Sequence, residues 1–212
     1  MMLTIKMNKM KKIYLIFIIS LISVSSFSQS QNITSSAIVF KQYNSEKDKT
    51  IKDVKIADAK RLIDKAFNNQ STSNDPKMWM YRAQIYKTIA YNHSELDANA
   101  IFKATESHLK CMEPHPKKKN KIIIYKKWEK EKVFTGLMQC ANKLFNLAVE
   151  AYQNNDFQSS LDLYKPIYDI IAIDTDGQLK KMKITNESLT HNSYLSSLAM
   201  NDNVMSKSFL QK

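Results

Sequence analysis

Three residues whose side chains commonly bind metals lie close together in the middle of the chain: His108, Cys111 and His115. On an unbroken helix, residues three and four positions apart share a face, so this spacing would suit a metal ion. Pro114 interrupts the helical pattern before His115, and a structural zinc site normally has four ligands. We therefore predict no metal and no cofactor, and expect His108 to lie at the surface beside a buried Cys111.

Catalytic sequence patterns are missing as well. No serine lies in G-x-S-x-G, and His93 and His191 stand alone among polar residues. The sequence has only two glycines, and neither G-x-G-x-x-G nor a P-loop is present, so the glycine-loop nucleotide sites have no support. Glu129 and Glu131 alternate with lysines, as on a solvated helix face. We predict that the protein is not an enzyme and has no catalytic residues.

A strongly basic stretch runs from residue 117 to residue 132. Eight of its sixteen residues are lysines, with Tyr125 and Trp128 between them. Such a stretch can bind nucleic acid, but the export predicted below leaves little nucleic acid to meet, so we predict none as a partner. Two interpretations stay open: a solubilising helix face, and contact with an anionic envelope surface or an acidic partner.

The first 28 residues have the order of a secretory signal peptide. Four lysines and no acid precede the apolar run 13–24, and small residues at Ser26 and Ser28 suit cleavage before Gln29. Removing this segment lowers the formal charge from +12 to +8. The alternative for this segment is an uncleaved anchor. Export would place Cys111 and Cys140 in an oxidising compartment, where they form either a disulfide or two buried thiols.

The remaining residues, 29–212, are predicted to be all-α. Hydrophobic residues make up 43% of the chain, enough for a core, and apolar positions recur at helical spacing. The pattern predicts consecutive helix hairpins at about 36–69, 76–113 and 121–173, with a partial one at 186–212. Within them we expect Asn74 or Asp75 to cap a helix at Pro76, Ser94 and Asp97 to form a capping pair, Gly136 to allow a break, and Pro166 to cause a kink.

Two of these hairpins resemble the tetratricopeptide repeat, whose pattern is W-x2-L-G-x2-Y followed by A-x3-F over about 34 residues. In the first, Trp79, Ala83 and Tyr86 occupy the aromatic and small positions, while Arg82 replaces the leucine. The later copy runs from Leu144 to Tyr164, with small residues at Ala148 and Ser160. The sequence around 75–86 is similar to exported tetratricopeptide proteins of Gram-negative bacteria.

This resemblance implies an α-solenoid of the cell envelope, in the periplasm or outer envelope, that acts as a scaffold for protein–protein interaction. The first helices of the hairpins would line a groove for a protein or peptide partner. By their positions in the repeat, the groove residues would be Lys77, Met80, Gln84, Lys87, Thr88, Asn142, Phe145, Val149, Tyr152 and Gln153.

Two other interpretations remain open. Some sugar-uptake proteins contain similar hairpins, so the alternative function is a glycan-binding module of the outer envelope; the lack of a cysteine after the signal segment counts against it. The third interpretation is an assembly scaffold whose chain continues past Lys212. We also predict that residues 186–212 are an unfinished hairpin, so that the functional unit extends past Lys212 or binds something in its place, and we expect residues 204–212 to fray.

Overall fold

The computed structural model describes residues 30–115, 121–122 and 127–210 of the 212-residue chain. The predicted signal peptide, residues 1–28, lies outside the described residues, as do lysines 117–119 of the basic stretch. Within the described part the regular secondary structure is helical apart from one two-residue antiparallel bridge, which confirms the all-α prediction. The helices are α1 (30–45), α2 (Lys49–Phe67), α3 (Pro76–Asn92), α4 (Ala100–Met112), α5 (Lys127–Gln153), α6 (Phe157–Ile173), α7 (Gln178–Lys181), α8 (Asn186–Ala199) and α9 (Asn203–Leu210), with a 3-10 turn at Ser94–Leu96 and strands β1 (Pro114–His115) and β2 (Lys121–Ile122).

Packing divides the chain into two compact units, one ending at Tyr81 and one beginning at Arg82. In the first unit α1 lies against α2, where Lys55 Nζ donates a 3.0 Å hydrogen bond to Gln42 Oε1. The buried side chains of α2 recur at helical spacing and include Ile56, Ala59, Ile63 and Ala66. Residues 36–45, at the start of the hairpin predicted at about 36–69, belong to helix α1.

In the second unit the long helices pack in chain order. Helix α4 packs against α5, α5 most extensively against α6, α6 against α8, and α8 against α9. Helices further apart in the chain, such as α4 and α6, touch much less. Ala148 on α5 and Ser160 on α6 are both fully buried. Small side chains at these buried positions allow the helices to pack closely.

Helix α3 begins as the sequence indicates, but α4 does not. Asp75 Oδ1 accepts a 2.8 Å hydrogen bond from the Lys77 N–H, which caps the start of α3 at Pro76. The expected capping pair of Ser94 and Asp97 is wrong, because α4 starts only at Ala100. Asp97 instead accepts from Lys103 Nζ at 2.6 Å, and Ser94 begins a single 3-10 turn.

The predicted start of the long helix at residue 121 is also wrong. Residues 121–122 pair with 114–115 in antiparallel register, and α5 begins at Lys127. The proline at 116 disfavours helical backbone at the residue before it, so the chain leaves α4 in an extended conformation that a second strand can match. Helix α5 then runs unbroken through Gly136, contrary to the break that this glycine would allow.

Serines lie at the crossings of α6, α8 and α9. Ser196 Oγ lies 3.2 Å from Ser160 Oγ, and Ser197 Oγ lies 2.9 Å from Ser206 Oγ. Each hydroxyl on α8 and α9 also donates to a carbonyl of its own helix: Ser196 to Asn192 O at 3.1 Å, Ser197 to Tyr194 O at 2.8 Å, and Ser206 to Asp202 O at 2.7 Å. All four serines are buried, so the helices approach closely here.

Candidate partner-binding face

Helices α3 and α5 of the second unit meet at Gln139, with lysines on both helices nearby. Lys87 Nζ on α3 donates a 2.5 Å hydrogen bond to Gln139 Oε1 on α5. One turn further along α3, the Tyr91 hydroxyl donates to the Gln139 backbone carbonyl at 2.8 Å. Lys143, one turn beyond Gln139, places its Nζ 5.7 Å from the centre of the Tyr91 ring. We call Lys87, Tyr91, Lys132, Gln139 and Lys143 the lysine face.

The surroundings of Lys87 within the lysine face lower the pKa of its ammonium group. Burial lowers its pKa, and the positive charge of Lys132 lowers it further, although Cys140 acts in the opposite direction. Lys132 lies two helical turns before Gln139, so both residues are on the same side of α5. Burial likewise raises the pKa of the Tyr91 hydroxyl, which keeps it protonated and able to donate. A half-buried ammonium beside a second one is a position that favours an incoming negative charge.

All ten predicted groove residues are exposed or half-buried. Lys77, Asn142 and Gln153 are exposed, and the other seven, Met80, Gln84, Lys87, Thr88, Phe145, Val149 and Tyr152, are half-buried. Lys77 and Met80 belong to the first unit and the other eight to the second. In the second unit the α3–α5 contact brings Lys87 to Gln139, one turn before Asn142 on α5. The lysine face therefore continues the predicted stripe of α5 towards its N-terminus.

Two of the groove aromatics also make contacts inside their own hairpin. The Phe145 ring lies edge-on to Tyr164 of α6, with 5.8 Å between ring centres. Tyr152 meets Phe157, the first residue of α6, in the same way at 5.4 Å. These rings help to hold α5 against α6, so only part of each is accessible to a partner.

His108 lies in the interface between α4 and α5, and the prediction that it is a surface residue is wrong. It is 2% exposed, and its Nδ1 lies 2.8 Å from the Ala104 carbonyl, which can only accept. Nδ1 therefore carries the proton, and Nε2 faces the helix α5 backbone at Gly136. A β-carbon at Gly136 would lie 2.7 Å from His108 Cδ2 and closer still to Nε2, so the glycine makes the space for the ring.

The two cysteines are buried thiols, not a disulfide. Cys140 Sγ lies 4.0 Å from His108 Nδ1, and burial raises its pKa to about 11. Burial alone raises the pKa of Cys111 to about 12, and lowers that of His108 to about 4 despite the hydrogen bond to Ala104. The imidazole and both thiols are thus closed off from solvent, and burial holds each thiol in its protonated form, which is the less reactive one.

The described ranges contain neither a cluster of metal ligands nor a helix that could span a membrane. Among residues 30–115, 121–122 and 127–210, no three His, Cys, Asp or Glu side chains come together as metal ligands. None of the helices in that same part of the chain is long and apolar enough to cross a membrane.

Arg82, which replaces the leucine of the repeat pattern, joins α3 to α4. Its side chain is buried, and Nη1 donates to Glu106 Oε2 at 2.9 Å, Ser107 Oγ at 2.6 Å and the Lys103 carbonyl at 3.2 Å. The guanidinium carbon lies 5.0 Å from the centre of the Tyr86 ring on the same helix. A charged side chain thus makes contacts across the hairpin where the repeat pattern has an apolar one.

Sequence reasoning missed Tyr91, Gln139 and Lys143. A weak signal was present, since Tyr91 continues the stripe of Gln84, Lys87 and Thr88, and Lys143 lies one turn after Gln139. These three residues come together only because α3 packs against α5. Helical periodicity within one segment carries no information about how two helices pack.

No protein-family model matches the chain, and neither a curated protein nor a solved structure is similar to it at a significant level.

Proposed function

We propose that this chain is an exported scaffold of the tetratricopeptide type, which binds a partner protein along the face of its first helices. The observation that carries this proposal is the packing of α4, α5, α6, α8 and α9 in chain order. Helical-repeat proteins are built in this way, because each helix hairpin contacts only its neighbours and the row of first helices remains as a binding surface.

The small residues of the repeat pattern support the same alignment. Ala83, Ala148 and Ser160 are each at most 1% exposed, as expected for positions where two helices of a hairpin come close. The aromatic Tyr86 and Tyr164 are also buried. The groove positions between them along α3 and α5 keep part of their surface exposed.

The repeats of this proposal are longer than the usual one of about 34 residues. First helices begin at Pro76, Lys127 and Asn186, so each interval carries an insertion. Part of the extra length lies in the connections between helices, as the 3-10 turn, the β1–β2 bridge and the short helix α7, where insertions are tolerated. Another part lies in helix α5, which is itself 27 residues long.

Site-specific photocrosslinking tests the binding face directly. A photoreactive phenylalanine at Gln84, Thr88 or Asn142 should capture the same envelope protein, while one at Lys110 or Lys165 on the second helices of the hairpins should not. All five positions are exposed or half-buried, so the analogue reaches solvent in each case. Equal capture from both sets of positions, or capture from the second helices alone, would contradict a binding face on the first helices.

Export is tested by mass. The protein recovered from the periplasm or the medium should have the intact mass of a chain that begins at Gln29. A variant with Ile16→Lys and Ile19→Lys, which breaks the apolar run, should stay inside the cell at full length. Full-length protein in the membrane fraction would show that the segment is an anchor instead.

A further inference from the structure

The lysine face gathers positive charge in a chain that is already basic. Lys87, Lys132 and Lys143 lie on two helices that meet at Gln139, and Lys87 is only half exposed. The acceptor that Lys87 meets there is the neutral amide oxygen of Gln139, and Lys143 lies over the neutral Tyr91 ring. The formal charge of the chain is +12, and +8 without residues 1–28, so the charge of this face adds to a positive overall field.

We propose that the lysine face binds an acidic segment of the partner protein, a stretch of polypeptide with several Asp or Glu side chains. The inference deepens the proposed function by naming the chemistry of the partner. Carboxylates of such a segment would pair with the three ammonium groups, and the positive field would speed its approach.

Geometry favours a polypeptide over a compact anion. The three lysines are spread over two helices and more than two turns of α5, a distance that one phosphate or one carboxylate cannot bridge. Neutral polar groups lie beside these lysines: the Gln139 amide carries N–H donors, and Thr88 and Gln84 share a stripe of α3 with Lys87, where the Thr88 hydroxyl donates to the Gln84 carbonyl at 3.0 Å. An extended chain with spaced carboxylates matches this alternation of charged and neutral polar groups.

Burial of Lys87 gives the interaction part of its strength. The ammonium is already partly removed from water, so a carboxylate that binds it meets a smaller further desolvation cost than at a fully exposed lysine. A bound carboxylate would also offset the repulsion from Lys132 and raise the Lys87 pKa towards its ordinary value.

The test uses the mature chain and a fluorescein-labelled peptide of alternating Glu and Gly. Fluorescence anisotropy should show binding that weakens as salt rises, and a Gln–Gly peptide of the same length should not bind. The combined variant Lys87→Gln, Lys132→Gln and Lys143→Gln should bind the acidic peptide at least about tenfold more weakly.

A matched control separates this face from general positive charge. Lys180→Gln, Lys181→Gln and Lys183→Gln remove the same charge from three exposed lysines of the second unit and should leave the affinity within about twofold. Equal losses in both triple variants would overturn the proposal, because the net charge alone would then explain binding. Binding to anionic vesicles but not to the acidic peptide, through the same three lysines, would overturn it as well.

Failure of this inference is distinguishable from failure of the proposed function. If photocrosslinking from Gln84, Thr88 and Asn142 captures a partner whose contact segment is not acidic, the scaffold proposal stands and the acidic-segment proposal is wrong. If the peptide binds the lysine face but no protein is captured from the first helices, the acidic-segment proposal is supported and the scaffold proposal is contradicted.

Discussion

At the scale of single residues, Gly136 and His108 form a matched pair. A glycine inside an exposed helix normally costs about 1 kcal/mol relative to alanine. Here the imidazole of His108 occupies the space of a β-carbon, so Gly136→Ala should destabilise the protein instead. We expect a loss of about 1–3 kcal/mol in the free energy of unfolding, measured by urea denaturation.

The control for that prediction removes the ring. In a His108→Ala background the same glycine substitution should be neutral or stabilising, because the space is then empty. A double-mutant cycle gives the coupling between the two positions. If Gly136→Ala stabilises the unmodified protein, the ring does not lie against α5 as described.

His108 also makes stability depend on pH. Its pKa is about 4 in the folded protein and about 6.5 in an unfolded chain. Above pH 6.5 the ring is neutral in both states and contributes no pH dependence. As the pH falls from 6.5 towards 4, the unfolded chain takes up a proton that the folded protein does not, so stability falls by up to about 3 kcal/mol.

Urea denaturation at several pH values between 7 and 4 tests this prediction. The comparison is His108→Asn, whose amide can still donate to the Ala104 carbonyl but does not titrate. The variant should lose less stability than the unmodified protein over the same range. Parallel curves for the two proteins would mean that His108 ionises equally easily in both states.

At the scale of helices, the crossing of α5 and α6 depends on small side chains. Ala148→Phe should overpack this crossing and lower the free energy of unfolding by about 1–3 kcal/mol. Asn146→Phe on the same helix is the control, because Asn146 is exposed and should change stability by less than about 0.5 kcal/mol. An unchanged urea midpoint for the Ala148 variant would place that side of α5 in solvent and disprove the repeat alignment.

Helix positions could be predicted from the sequence because each is set by local information. The periodicity of α2 and the cap by Asp75 lie within one or two turns of the residues they affect. The start of α5 could not be predicted, since it depends on the pairing of 114–115 with 121–122. The role of Gly136 within helix α5 depends on the His108 ring of α4, and the sequence of α5 alone does not show that contact.

The candidate site was predictable in part for the same reason. The repeat resemblance selected groove positions with exposed or half-buried side chains, including Lys87, because that pattern repeats within each helix. Gln139 and Tyr91 belong to the face only because α3 meets α5 at that level. Tertiary contacts of this kind have no signature in the spacing of residues along the chain.

At the scale of the whole molecule, packing in chain order implies that local stability differs along the chain. Helix α9 buries only Ser206, and its Val204 and Leu210 are 83% and 68% exposed, whereas α5 and α6 bury residues along their full contact. Amides of 203–210 should therefore exchange with deuterium much faster than those of 144–164. Uniform protection across both segments would show a single cooperative unit.

The serines between α6, α8 and α9 have a consequence for which substitutions this protein can accept. The hydroxyls of Ser196, Ser197 and Ser206 are each satisfied by a carbonyl of their own helix, so none depends on its neighbour across the crossing. Loss of the hydroxyl leaves the helix carbonyl with its backbone N–H donor, whereas an added methyl or larger group must push two helices apart. Tolerance at these positions should therefore be graded by volume and not by polarity, with alanine accepted and valine or leucine rejected.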